Sequence, residues 1–363
     1  MSTESIHGIS RRKFIVSSGV AGVAALAGCS GGNAAEDSAT TTASDANSSA
    51  SQDLGPLEAG GSSTVYPIMK DASAYWNANR PASDTEYWPH GKYDIDTEKN
   101  LADYWAGLYG FGAGSDGSPP YKVTVGLSHS GTGIEKVEAG QIDIGDASAP
   151  VSSEKPDWSQ SKRDRFTNHV VGVDGQPIVV SSEIKEAGVT EITGQELKDI
   201  YKDRIDNWKE LGGPDKPIQT LGRVKGSGTR TAFVSHVFDD PTADTVVDNR
   251  FGQNQRLAQA IKQADNAISY LALAFVGTTG VDPIALNWKG TTYEFGENLG
   301  AKEYPLSRDL HAYTVDGTSK KEAAVLRMVL SDFGQDTFVG PNDYFKLPKD
   351  RQQAQLDKLP DPV

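Results

Sequence analysis

From about residue 55 onward the apolar positions follow two alternating rhythms. Val65, Ile68, Met69, Ala72, Tyr75 and Trp76 recur at helical spacing directly after Gly60-Gly61-Ser62-Ser63-Thr64, so a helix with one buried stripe opens where a small, hydroxyl-rich turn ends. Lys122 to Leu127 alternates like a strand. Ser128 to Gly133 forms a second such turn. It leads into a short helix with Ile134 and Val137 on one face, ended by Gly140, and then a strand around Ile142 and Ile144. The grammar repeats a third time: Ile218 to Val224 reads as a strand, Gly226-Ser227-Gly228-Thr229 as the turn, and Phe233, Val234, Val237 and Phe238 as the stripe of a helix. Strands alternating with helices predict an α/β chain. Between the first and second junctions, roughly 79–121, the sequence is rich in aromatics, glycine and proline without a clean period, and its rings are expected to pack rather than to form a sugar platform.

The first 54 residues follow different rules. Ser10-Arg11-Arg12-Lys13-Phe14-Ile15 is a twin-arginine pattern, followed by an apolar run from Val16 to Ala27 and then Leu26-Ala27-Gly28-Cys29. A charged region, a short apolar stretch and small residues before a cut are the parts of an export signal, and the run is too short for an ordinary membrane span. Leu-Ala-Gly-Cys resembles a lipobox, which makes Cys29 the expected lipid-bearing N-terminus and residues 1–29 the signal. Residues 30–54 are mostly Ser, Thr, Ala, Gly, Asp and Asn, the composition of a tether that cannot bury enough surface to order itself.

Composition narrows the partners. With 49 acidic against 35 basic side chains the formal charge is −14, which disfavours nucleic acid over most of the surface. Cys29 is the single cysteine, so intramolecular disulfides, cysteine-based zinc sites and CxxC redox pairs are excluded. The six histidines show no ligand spacing, and neither a metal nor any other cofactor is expected. Gly112 to Gly117 fits GxGxxG literally, but Ser118-Pro119-Pro120 follows, so no helix opens there to receive a dinucleotide phosphate. His129 beside Ser130 lacks an orienting carboxylate and does not read as a catalytic pair.

The three Gly/Ser/Thr junctions carry the chemistry. Each offers hydroxyls and free backbone N–H groups at the positive end of a helix dipole, a setting suited to an anion held without water. Taken singly, each reads more readily as a structural N-cap, as Thr193 with Glu196 and Ser319 with Glu322 do, both in capping-box spacing. Arg223 raises the third above that reading. It closes the strand before Gly226-Ser227-Gly228-Thr229, and its guanidinium fork matches tetrahedral oxyanions.

Taken in order, Gly61-Ser62-Ser63-Thr64-Val65-Tyr66-Pro67, Ser130-Gly131-Thr132-Gly133, Ile144 to Pro150, Arg223 to Thr229, Asn266 to Tyr270 and Tyr304-Pro305-Leu306-Ser307-Arg308 resemble the phosphate-binding subunit of the phosphate-specific ABC transporter. The resemblance implies a two-domain periplasmic-binding-protein fold of type II, with mixed central sheets and a two-strand hinge. Domain one would take residues 55–175 and 304–363, with an insertion at about 79–121 where the family is shorter, and domain two 176–303. It implies that inorganic phosphate lies in the interdomain cleft, held by Thr64, Val65, Ser130, Arg223, Ser227, Gly228 and Thr229, with Val65 and Gly228 acting through backbone N–H. The protein would be a monomeric, lipid-anchored, non-enzymatic binder on the outer face of the cell membrane, serving the permease subunits of an importer. Some members carry an acceptor carboxylate where Ser148 stands here, and Asp146 lies two residues earlier, so both Asp146 and Ser148 are candidate phosphate contacts. The expectation is that Asp146 enters the cleft and sorts phosphate from sulfate, and that Ser148 or another group does the sorting if it does not. Capture of sulfate, molybdate or tungstate by the same cleft, and an extracytoplasmic phosphoester hydrolase, are the competing readings.

Overall fold

The computed structural model describes residues 54–363; the signal, Cys29 and the tether up to Asp53 lie outside the described residues. Two sheets organise the body. The first has the order β2-β1-β3-β12-β4, built from β1 (Leu57–Ser62), β2 (Val123–Ser128), β3 (Ile144–Ala147), β4 (Phe166–Gly175) and β12 (Ser307–Val315). β1 pairs parallel with both β2 and β3, whereas β12 runs antiparallel to β3 and β4. The second sheet is drawn from β5 (Ile178–Val180), β6 (Glu191–Thr193), β7 (Gln219–Arg223), β8 (Asn249–Phe251), β9 (Ala267–Tyr270), β10 (Asp282–Trp288) and β11 (Thr291–Tyr293), ordered β11-β10-β5-β9-β7-β8 with β6 beside β10. The architecture is the two-domain periplasmic-binding fold, with mixed sheets in both lobes. The chain leaves the first sheet at the end of β4 and returns to it at the start of β12, so these two antiparallel neighbours carry both crossings.

The expected helices form where the stripes placed them. Helix α1 (Tyr66–Ala78) buries Ile68, Met69, Ala72 and Trp76. After α2 (Leu101–Gly107) comes α3 (Ser130–Glu138), which buries Ile134 and Val137, then the single turn α4 (Val151–Glu154). Helix 228–238 buries Phe233, Val234 and Val237. Both capping boxes are made. The Gly112 to Gly117 run is irregular chain with no helix after it. Glycine decides how close α3 lies to the sheet: a Cβ on Gly133 would stand 2.7 Å from the Gly60 carbonyl oxygen and 2.8 Å from that of Asp146. That contact lets the start of α3 reach the C-terminal ends of β1 and β3.

The segment 79–121 adds to the core of the first lobe. Trp88, Trp105, Tyr109 and Tyr121 are all buried. The Trp88 ring meets Phe333 edge-on at 5.0 Å between centroids, Trp76 Nε1 donates to the Tyr121 carbonyl (2.8 Å), and Asn79, in a left-handed conformation at the end of α1, accepts from Ala102 N through Oδ1 (2.9 Å). The aromatics therefore pack, as expected, over α1 and the helix Lys320–Leu330. Because the Trp88 cavity would be large and walled by other rings, Trp88→Ala should cost about 3–5 kcal/mol of stability, read from the urea midpoint; a loss under about 1 kcal/mol would mean the segment is a loose decoration.

Candidate functional site

The three junctions converge where the two lobes meet. Ser62, Ser63, Thr64, Ser130, Ser148, Arg223, Ser227 and Thr229 are each no more than 2% exposed. Several hydroxyls that would ordinarily cap a helix are used otherwise. Val65 occupies the N-cap of α1 and caps nothing with its side chain. At α3 the cap is His129, whose Nδ1 accepts from Thr132 N, which frees Ser130. Its Oγ accepts from Gly228 N (3.2 Å) across the seam and from Ser148 N (3.1 Å). Ser227, the N-cap of helix 228–238, makes no capping bond, and its Oγ is buried without a partner. Gly228 is required by contact: a Cβ there would fall 2.4 Å from Ser130 Oγ and 2.7 Å from Ser148 Oγ.

Two guanidinium groups enter this seam. Arg223, 1% exposed, donates from Nη1 to Thr229 Oγ1 (3.2 Å), from Nη2 to Ser63 Oγ (3.2 Å) and the Gly252 carbonyl (2.8 Å), and from Nε to the Phe251 carbonyl (3.1 Å). All its acceptors are neutral, and burial lowers its pKa to about 9. Arg308 donates from Nη2 to Thr64 Oγ1 (3.3 Å) and Thr229 Oγ1 (3.2 Å), from Nη1 to the Ser148 carbonyl (3.1 Å), and from Nε and Nη2 to Asp174 Oδ2 (3.0 and 2.7 Å). Asn254 adds its amide, giving to Ser63 Oγ (3.2 Å) and Thr64 Oγ1 (3.0 Å). The Thr64 and Thr229 oxygens, 3.1 Å apart, thus each take bonds from two strong donors that an oxyanion would satisfy better. A cavity of about 740 Å³ adjoins the seam, walled by Ser148, Thr231 and Arg308 and, at its rim, by Lys302, Lys346 and Arg351. Of these, Lys346 pairs with Asp336 (2.8 Å) and Arg351 with Asp309 (2.8 Å), which also lines the cavity.

The seam thus brings together Thr64, Val65, Ser130, Ser148, Arg223, Ser227, Gly228 and Thr229. Asp146 stands apart, which corrects the expectation that it enters the cleft. Gly145 and Ala147 face α3, since a Cβ on Gly145 would meet Val137 and Ala147 packs with Ile134. Ile144 and Asp146 therefore lie on the opposite face of β3, and Ile144 is buried in the main hydrophobic core. Asp146 is 1% exposed, and neither carboxyl oxygen has a partner. Arg308, Asp174, Asn254 and Ser63 were not among the expected ligands. Arg308 had a signal, since it closes the Tyr304 to Arg308 motif. Asn254 and Asp174 had none, because pattern does not reveal a contact between distant segments.

A model of the PBP superfamily domain matches residues 114–333. The chain belongs to the PBP superfamily. It is 31% identical over 199 residues to the phosphate-binding protein PstS of Bacillus subtilis, a match covering 54% of this chain and 62% of that relative's length. Its fold resembles a substrate-binding protein from Clostridium perfringens solved with bound phosphate (TM-score 0.57, 23% identity, 81% of this chain and all of that one). It also resembles an ABC-type phosphate transport receptor from Vibrio cholerae (TM-score 0.54, 20% identity, 80% of this chain and all of that one). In this PBP-superfamily chain the ends of parallel strands and the starts of helices meet at the lobe seam, the usual place for a ligand in open α/β sheets.

Burial raises the Asp146 carboxyl to about 8, so between about pH 4 and pH 8 the folded protein holds a proton that the unfolded chain releases, and stability falls as pH rises through that window. Asp146→Asn removes the titration. Its melting temperature should match the wild type near pH 4 and exceed it by a margin that widens toward pH 8; a margin independent of pH would show that Asp146 is ionised in the fold.

Proposed function

We propose that this chain is an extracytoplasmic solute-binding protein that captures inorganic phosphate between its two lobes and delivers it to an ABC importer. One observation carries the reading: two buried guanidinium groups, an amide and several hydroxyls aim at one point, and the one carboxylate bonded to them, Asp174, is already filled by donors. A donor-rich, water-poor seam suits a small tetrahedral oxyanion. The named functions of the relatives support phosphate as that anion. In this reading Arg223, Arg308, Asn254, Thr64, Ser130, Ser148, Ser227 and Thr229 supply side-chain contacts, and Val65 and Gly228 backbone N–H groups. Lobe one comprises 55–175 and 304–363, and lobe two 176–303. Donors from both lobes, Thr64 and Ser130 from one, Arg223 and Thr229 from the other, make anion binding favour the closed form, the form a permease can recognise. The protein acts as a binder without turnover, is monomeric, and is anchored outside the membrane through Cys29.

Calorimetry of the mature chain tests the ligand. Phosphate should bind 1:1 and more tightly than sulfate or molybdate. Arg223→Ala should weaken phosphate by about tenfold to over a hundredfold, the equivalent of the roughly 1.5–3 kcal/mol of a charged hydrogen bond. Phosphate affinity left intact by that substitution would move the site elsewhere.

The anchor is tested separately by fractionation. Wild-type protein should partition with membranes until it is cut in the Ser30 to Gln52 segment, and Cys29→Ser should be released or remain unprocessed. Membrane association unchanged in Cys29→Ser would remove the lipid anchor from the proposal.

A further inference from the structure

Asp174 and Arg308 face each other across the two strands that carry the chain between the lobes, as a registered pair of β4 and β12. The side chain of Asp174 is fully buried and that of Arg308 is 4% exposed. Asp174 accepts from Leu273 N through Oδ1 (2.9 Å) and from Arg308 Nε and Nη2 through Oδ2. All three partners are donors, the pattern of an ionised carboxylate; burial pushes the Asp174 carboxyl above its usual range, and the Arg308 charge and these three bonds oppose that rise. Arg308 then reaches Thr64 and Ser148 of one lobe and Thr229 of the other. Asp174 touches none of the hydroxyls in the seam; it acts on the seam only through Arg308.

Other titratable groups lie near the pair: His236 and His311 feel Arg308, and burial lowers both imidazoles. Arg223 is the second buried cation. Glu154, in α4, feels Arg308 and Arg230, but burial pushes its carboxyl above the usual range and toward the neutral form. Tyr304 and Tyr344 lie close to Asp174, and burial holds both phenols protonated. Asp309 is occupied by Arg351 (2.8 Å). Among the groups that bond to one another in the seam, two guanidinium charges face one carboxylate, a net of one positive charge.

Resting on the phosphate reading above, we propose that Asp174 is a positioning residue that sets the charge the cleft accepts, cancelling one of two buried guanidinium charges so that the seam favours a singly charged oxyanion. Phosphate meets that demand by keeping or taking a proton from solvent. Sulfate cannot, and enters a low-dielectric seam with one negative charge uncompensated, which is costly where water is excluded. Discrimination between the two anions then follows from the charge balance of the hinge pair and needs no carboxylate in contact with the ligand.

The test is the ratio of sulfate to phosphate dissociation constants, measured by calorimetry at about pH 5.5, where a phosphate group is mostly singly ionised. Asp174→Asn adds one net positive charge and keeps an acceptor for Leu273 N. It should shift the ratio toward sulfate by at least tenfold. Arg223→Gln leaves the hinge pair intact, keeps the variant set informative if Asp174→Asn fails to fold, and removes one positive charge; sulfate should then weaken at least tenfold more than phosphate. A purely structural role for Asp174 would weaken both anions alike. A ratio unmoved in either folded variant, with phosphate still bound by the wild type, overturns the proposal. Absence of phosphate binding by the wild type would instead overturn the reading it rests on.

Discussion

Positive charge held away from water is the constraint on which the rest of the seam depends. Removing an ion from water costs several kcal/mol even after the protein relaxes, and here two guanidinium groups are removed with one carboxylate between them. Arg308 is offset by Asp174, whereas Arg223 has only carbonyl and hydroxyl oxygens. Neutral oxygens return part of the lost hydration and none of the charge. The fold tolerates this because the arginines are fixed by elements with their own cores: Arg223 ends β7, beside β9 and β8, and Arg308 begins β12 beside β4. The deficit is therefore local, and an oxyanion is the group that removes it.

Much of this was legible in the chain because the local chemistry repeats. Three Gly/Ser/Thr turns before three amphipathic stripes located α1, α3 and helix 228–238, and the glycines inside them proved to be points of close approach. Arg223 was found because it belongs to the same short segment as Ser227 and Thr229. What could not be read was contact between segments far apart in sequence. Asp174 sits in Val170-Val171-Gly172-Val173-Asp174, which reads as a buried strand with one polar residue, and its partner lies 134 positions away. Asn254 opens an ordinary helix, and nothing in that helix announces that its amide reaches Ser63 and Thr64.

Asp146 shows where motif position and side-chain direction part. It sits two residues before Ser148, inside the segment that approaches the cleft, and by proximity in sequence it should contribute. Strand pleating sends it to the other face. There it has neither cation nor donor, so burial acts on it unopposed and drives it toward the neutral acid, while Ser148, at the strand end, accepts from Ser62 Oγ (3.1 Å). Likewise 79–121 reads as an interruption of the pattern and folds as additional core, because Trp88, Trp105 and Tyr121 find apolar faces on helices that already exist.

Gly228 bears on the mechanics of the whole molecule. With hydrogen in place of a side chain, the backbone of one lobe comes to rest directly against two hydroxyls of the other. A single methyl at that position would stand 2.4 Å from Ser130 Oγ and 2.9 Å from the Ser148 carbonyl carbon, so the hydroxyls or the seam itself would have to give by up to about an ångström. Any opening wide enough to admit water would rehydrate the two arginines and damp their field to that of any surface cation. The grip of the site would be lost with every ligand-contacting side chain still present, because what that one hydrogen atom protects is dryness.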